Sequence, residues 1–214
     1  MDLKLVLVKL VTRWRERLSD WWRRILAMLP FVILSRKQFN RLLELSQTDP
    51  LTGLWNRRGG ERNARNQIHA IQRANQSSPL TAVLSLDLDR FKLVNDTRGH
   101  PIGDLILKRV AEIGREIFPR DTDVFIRFGG DELSLVLIST ELEQALSRAE
   151  TLRVRIEADG IMRKYCGVTI SIGVAMMSGL GEIPVDVSLE NALKEADQAL
   201  YRAKANGRNR VETA

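Results

Sequence analysis

Arg127-Phe128-Gly129-Gly130-Asp131-Glu132-Leu133 is the stretch on which the reading of this chain turns. Short apolar runs flank its centre, over residues 123–128 and 132–138. A Gly-Gly pair between two such runs predicts a β-hairpin, because glycine reaches positive φ without steric cost. The hairpin carries two acids, Asp131 and Glu132, at its turn. Upstream, residues 80–88 read as an apolar strand in which Ser85, Asp87 and the following Asp89 share one face. If the hairpin pairs beside that strand, Asp87 and Asp131 meet at neighbouring strand ends. Two such carboxylates suit Mg²⁺, a hard cation that takes one or two of them and fills its other positions with water and phosphate oxygens. That is a phosphoryl-transfer arrangement, in which metal ions acidify an attacking hydroxyl and neutralise a triphosphate. Each piece alone has a plainer explanation: Asp87 and Asp89 opening a loop, and Gly129-Gly130-Asp131 making an ordinary turn.

Outward from the hairpin the periods change repeatedly. Residues 56–76, 101–118, 141–157 and 189–205 have helical spacing, the last closing at Gly207, and residues 168–175 read as a strand. Helices alternating with strands, broken by one hairpin, predict an α+β domain with helices packed on a sheet. No Gly-rich loop follows a strand, which argues against Rossmann and P-loop sites. The one cysteine, Cys166, cannot form an internal disulfide, and no Cys/His cluster has zinc-site spacing, so a reducing cytoplasmic setting is expected.

The formal net charge of +6 invites a nucleic-acid reading, but its distribution opposes one. Ten of the 33 Lys and Arg, and only four of the 27 Asp and Glu, fall in residues 1–46, so the remainder is formally neutral. The basic character belongs to an N-terminal appendage, and no nucleic-acid partner is expected. In that appendage Leu7, Val11, Trp14, Leu18, Trp21, Ile25, Met28 and Val32 form a heptad seam, with arginines between them. The run 25–34 contains Pro30 and is too short to span a bilayer, and no signal-peptide cleavage site follows. Two readings remain open for residues 1–34: a coiled coil joining two chains, or a basic amphipathic helix on an anionic membrane surface. Localisation is accordingly expected to be cytoplasmic or peripheral at the inner face of the cell membrane. After Pro30, Ser35 and Gln38 resemble a capping box for a second short helix leading into the domain.

Six motifs in order give the chain a resemblance. Asp49-Pro50-Leu51-Thr52-Gly53-Leu54-Trp55-Asn56-Arg57-Arg58 is followed by Asp87-Leu88-Asp89-Arg90-Phe91-Lys92 with Asn95-Asp96, and by Gly99-His100-Pro101-Ile102-Gly103-Asp104. Then come the hairpin, Val168-Thr169-Ile170-Ser171-Ile172-Gly173, and Ala196-Asp197 through Arg210. The chain resembles the GGDEF-domain diguanylate cyclases. The resemblance implies a nucleotidyl-cyclase or polymerase-palm-like domain over 47–214, with a central, mainly antiparallel sheet, behind a helical extension over 1–46. It also implies condensation of two GTP into cyclic di-GMP and two pyrophosphates. Asp87 and Asp131, with the Leu88 carbonyl, would bind two Mg²⁺ or Mn²⁺ ions, and Glu132 would support metal and phosphate geometry. Asn95 and Asp104 would read guanine, since a carboxylate accepts from its N1–H and amino group where adenine offers no matching donors. Gly129 and Gly130 would leave room for the nucleotide. Lys204 and Arg208 would hold phosphates, with Lys92 and the backbone near Phe91 as further contacts. On charge alone, Lys204 and Arg208 would read as a basic helix end complementing the macrodipole.

Arg120 and Asp123, spaced Arg-x-x-Asp before the hairpin, match the family's inhibitory product site, where an arginine meets phosphate and guanine edges. A second arginine is needed there, and Arg148, Arg153 and Arg155 are all candidates. The product needs two phosphodiester bonds and each domain holds one GTP, so a homodimer is implied. One departure stands out: Leu133 occupies a position where the family usually has Phe. Its side chain is expected to enter the core, and the alternative function is a cyclic di-GMP or GTP receptor with a decayed active site.

Overall fold

The computed structural model describes residues 47–75, 77–165 and 167–214. The expected heptad seam, its dimer or membrane roles and the second short helix of the extension lie outside the described residues.

The chain order is β1 (Trp55–Asn56), α1 (Arg57–Asn75), β2 (Thr81–Leu88), α2 (Phe91–Arg98), α3 (His100–Ile117), β3 (Asp123–Gly129) and β4 (Glu132–Ile138). There follow α4 (Leu142–Ala158), α5 (Gly160–Lys164), β5 (Ile170–Met176), α6 (Val185–Ala205) and β6 (Val211–Thr213). One six-stranded sheet runs β1-β3-β4-β2-β5-β6. Its centre, β3-β4-β2-β5, is antiparallel throughout, and the two edge strands add in parallel, β1 on β3 and β6 on β5. The expected α+β architecture with a mainly antiparallel sheet is what forms.

Strand alternation sorts the apolar side chains onto two faces. Leu84, Leu86 and Leu88 of β2 and Leu133, Leu135 and Leu137 of β4 are buried in one cluster with Ile106, Val110 and Ile113 of α3 and Leu152 and Ile156 of α4. Val83, Val136 and Ile138 face the other way, onto Ala64 and Ile68 of α1 and Leu189, Ala192 and Ala196 of α6. Burial of β2 on both faces explains why Ala82, Val83 and Leu84 are apolar without alternation.

Helix α6 can lie so close to the sheet because of Gly173. A Cβ there would sit 2.0 Å from the Ala196 carbonyl oxygen and 2.2 Å from the Leu200 nitrogen. This contact seats the later half of α6, the helix that carries Lys204, against β5.

Four elements have no counterpart in the sequence reading. Helix α2 has eight residues with two buried side chains, Phe91 and Val94, too few for a period to show. It ends at Gly99, whose φ of 83° breaks the chain between α2 and α3. Helix α5 is a five-residue turn capped by Asp159, which accepts from the backbone nitrogens of Ile161 and Met162. Strands β1 and β6 hold two and three residues, shorter than any alternation can reveal.

Candidate active site

Asp87, one residue before the end of β2, is paired in register with Glu132, the first residue of β4. On the same face, the last turn of α6 brings Lys204 Nζ to 2.8 Å from Asp87 Oδ2. Ser85, Asp87, Phe128, Glu132, Asp197, Tyr201 and Lys204 line a cavity of about 260 Å³ between β2, the hairpin and α6. Burial pushes the Asp87 carboxyl above its ordinary value, the Lys204 ammonium opposes that rise, and the charges of Asp131 and Asp89 add to it. Asp87, Glu132 and Lys204 therefore share one cavity, and Asp131 is near enough for its charge to act on Asp87.

The turn of the hairpin is tight. Gly129 pairs with Glu132 across it, leaving Gly130 and Asp131 at the tip. Gly129 has φ 151° and Gly130 φ 53°, and a Cβ on either would meet nothing within 4 Å. Backbone conformation demands these glycines, and the space beside them is open. The tip is braced from below. Arg127 donates from Nε and Nη2 to the Gly130 carbonyl at 3.1 and 2.8 Å, and from Nη1 to both oxygens of Asp49 at 3.0 and 3.1 Å. Asp49 also accepts from the Thr52 nitrogen and hydroxyl at 2.8 and 2.6 Å. Burial alone would raise the Asp49 carboxyl, but the bonds from Thr52 and Arg127 outweigh it and hold the group below its ordinary value. Sequence reasoning quoted Asp49 and Arg127 as motif members without giving them this work; an acid 78 positions away from its arginine leaves no local signal.

Asp89 does not join the cavity of Asp87. Only 5% exposed, it accepts from Thr169 Oγ1 and Ser171 Oγ, each at 2.7 Å, and from the Asn209 nitrogen at 3.0 Å. It ties the end of β2 to the start of β5 and to the segment after α6. Asp89 keeps the face of Asp87, as expected, since it bonds Ser171, the cross-strand partner of Asp87, but it lies past the end of β2 and its oxygens are taken up by these donors.

The proposed guanine readers lie on α2 and α3. A Cβ at Gly103 would fall 2.1 Å from Asn95 Oδ1, so this glycine lets the Asn95 side chain rest on the first turn of α3, one residue before the exposed Asp104. Phe91 is buried in the core at the start of α2, and Lys92 beside it is exposed. Arg208, at φ 65°, lines a second cavity of about 180 Å³ with Asp89, Arg90, Leu93 and Asn209. Lys204 and Arg208 thus open onto different cavities, and Asn95, Asp104 and Lys92 do not line that of Asp87.

Arg120 is exposed, and its backbone nitrogen donates to Asp123 Oδ2 at 3.3 Å. The Asp123 side chain is wholly buried under Arg148. Arg148 donates to it from Nη1 at 3.1 Å and from Nη2, bonds the Ile117 carbonyl at 3.2 Å, and stacks 4.5 Å from the centre of the Phe118 ring. Arg153 is held by Glu150 and Glu157, and Arg155 by Glu116. Of the three candidate arginines, Arg148 is the one that meets Asp123.

Among the described residues no group of three or more His, Cys, Asp or Glu side chains is arranged to enclose one ion. The donors at the site are all oxygens, and Asp87 is half-buried with a cationic partner already drawn onto it. That fits Mg²⁺ bound by one or two carboxylates better than a closed all-protein cage. Among the described residues, no helix is long and apolar enough to cross a membrane.

An antiparallel centre carrying an acid-bearing hairpin, parallel edge strands and helices on both faces make this an α+β domain. The family model described as "Diguanylate cyclase, GGDEF domain" matches residues 46–210, and the chain belongs to this family. The response regulator PleD of Caulobacter vibrioides is 37% identical over 182 residues, covering 82% of this chain and 38% of PleD. Diguanylate cyclase A of Treponema denticola is 32% identical over 198 residues, 92% of this chain and 52% of that protein. The chain therefore spans from about two fifths to half the length of these relatives. The crystal structure of the coiled coil and GGDEF domain of DgcB from Caulobacter crescentus, in complex with c-di-GMP, has the same fold. Its TM-score is 0.68 at 24% identity, covering 94% of this chain and 99% of that one.

Proposed function

We propose that the chain is a diguanylate cyclase, which condenses two GTP molecules into cyclic di-GMP and two pyrophosphates by attack of each ribose 3′-hydroxyl on the other's α-phosphate. The observation that carries this reading is the register of β2 and β4, which sets Asp87 opposite Glu132, with Lys204 on Asp87 and Asp131 one residue away at the hairpin tip. Asp87 and Asp131, with the Leu88 carbonyl, would hold two Mg²⁺ or Mn²⁺ ions, which when bound supply acidification of the hydroxyl and neutralisation of the triphosphate. Glu132 supports that geometry from across the strand pair. Asn95 and Asp104 accept from and donate to the guanine edge. Lys204 and Arg208, helped by Lys92 and the backbone at Phe91, take the phosphate charge. The open side of Gly129 and Gly130 leaves space for the nucleotide to lie along the hairpin.

One GTP per domain requires two domains face to face, so the working unit is a homodimer. Residues 1–46 raise the effective concentration of one domain near the other, as a coiled coil or by gathering chains on an anionic membrane through residues 1–34. Product returns to Arg120 and Asp123 as an inhibitor, where Arg148 must either join the ligand or give way to it. Leu133 does not favour a decayed receptor. It is 3% exposed in the core cluster with Leu135 and Leu137, and although it borders the Asp87 cavity it changes packing volume and leaves the charged groups in place.

The test is incubation of the purified chain with GTP and Mg²⁺, with cyclic di-GMP detected by mass spectrometry. Product is expected from the parent and none from Asp131→Ala. Absence of product from folded, dimeric parent protein would overturn the reading.

A further inference from the structure

The Asp87 carboxylate already has a cation. Lys204 reaches it from the last turn of α6, a helix packed closely on β5 at Gly173, and the pair is partly shielded: the two side chains are 34% and 18% exposed. Like charges crowd the same carboxylate, with Glu132 directly across the strand pair and Asp131 at the tip. Without a local positive charge this cluster would carry a repulsion that burial makes costlier. Lys204 is also a long, flexible side chain on a point-charge head, able to swing to another acceptor without moving the helix.

We propose that Lys204 is a reversible stand-in for the metal at Asp87, so that a divalent cation and the Lys204 ammonium compete for one carboxylate. The inference rests on the reading that Asp87 is a metal ligand and adds a consequence to it. Metal arriving alone must displace Lys204 from Asp87 without bringing it a new acceptor. Metal arriving with a triphosphate displaces it onto phosphate oxygens, so the exchange keeps every charge paired. Cation and nucleotide then favour each other's binding, and by linkage the coupling is equal in both directions. An empty site would thereby discriminate against free cations and admit the metal with its nucleotide.

The experiment measures Mn²⁺ binding to the full chain without nucleotide, by the loss of the free Mn²⁺ electron paramagnetic resonance signal. Lys204→Met and Lys204→Gln, both expected to fold because the side chain is a third exposed, should bind Mn²⁺ tighter than the parent by roughly fivefold, the scale of one partly exposed ion pair. Lys204→Arg keeps the charge and should leave the affinity near that of the parent. Arg202→Met removes the same charge from the same helix without touching Asp87, and should change binding by less than about twofold. Asp87→Asn should abolish the gain in the Lys204→Met background. Equal Mn²⁺ affinity in the parent and both neutral variants overturns the competition while leaving Asp87 as a ligand. An equal gain in Arg202→Met also overturns it, assigning the effect to the general field. Failure of every variant to bind Mn²⁺ overturns both the competition and the reading of Asp87 as a metal ligand.

Discussion

Asp87 and Asp89 stand two residues apart in one motif, and the fold gives them opposite work. Asp89 borders the second cavity, but three donors, from Thr169, from Ser171 of β5 and from the segment after α6, hold its oxygens. Asp87 faces a cavity, with one lysine that can leave. A carboxylate held by three donors from separate elements ties structure together; one whose partner is a single flexible side chain is free for chemistry. The identity of the residue says nothing of this, and the donors decide it.

Four substitutions sharpen the contrast. Asp87→Asn should lower cyclic di-GMP formation on the order of a thousandfold, since it removes preorganised charge at the reacting centre, while leaving the thermal midpoint nearly unchanged. Asp89→Ala should do the reverse in kind. Leaving Thr169, Ser171 and the Asn209 nitrogen without their acceptor should cost about 3 kcal/mol in denaturant unfolding, with activity falling only as the folded fraction falls. If Asp89→Ala lost activity at full stability, the division of labour would be wrong. Arg127→Ala frees the hairpin tip from Asp49, and a displacement of even 1 Å there should reduce kcat on the order of a hundredfold with little change in metal binding. Leu133→Phe restores ring volume inside the core and should change turnover by less than about tenfold, in either direction, because overpacking and better hairpin support oppose each other.

Asp49 gives a smaller, pH-resolved effect. Its carboxyl lies below its ordinary value in the folded chain, so its contribution is fully present above the unfolded value and is lost as pH falls through the folded one. Stability measured by denaturant titration should therefore fall on acidification below about pH 4. In Asp49→Asn that part of the acid limb should flatten. An unchanged limb would remove the brace from the account.

Much of this is legible in the sequence. The hairpin, β2 and the four long helices carry enough apolar repeats to show their period, and their bounds shift by only a few residues. Leu133 was expected in the core and is there, because strand parity sends it with Leu135 and Leu137. Helix α2 was not legible: eight residues with two buried positions leave the pattern to tertiary contact, namely the fit of Asn95 against Gly103. The bracing of Gly130 by Arg127 and Asp49, and the cover of Asp123 by Arg148, were invisible for another reason. Each joins charged residues distant in sequence, and no local repeat encodes which acid an arginine will meet.

The extension adds a comparison between dilute and concentrated protein. Deleting residues 1–46 should lower specific activity most at low concentration, and equal specific activity at every concentration would remove the tethering role.

The most direct test sets the parent beside Asp87→Asn in GTP and Mg²⁺, with cyclic di-GMP measured by mass spectrometry and folding by thermal melting. Product is expected from the parent and, at an unchanged midpoint, about a thousandth as much from the variant. No product from the folded parent, or equal product from both, would contradict it.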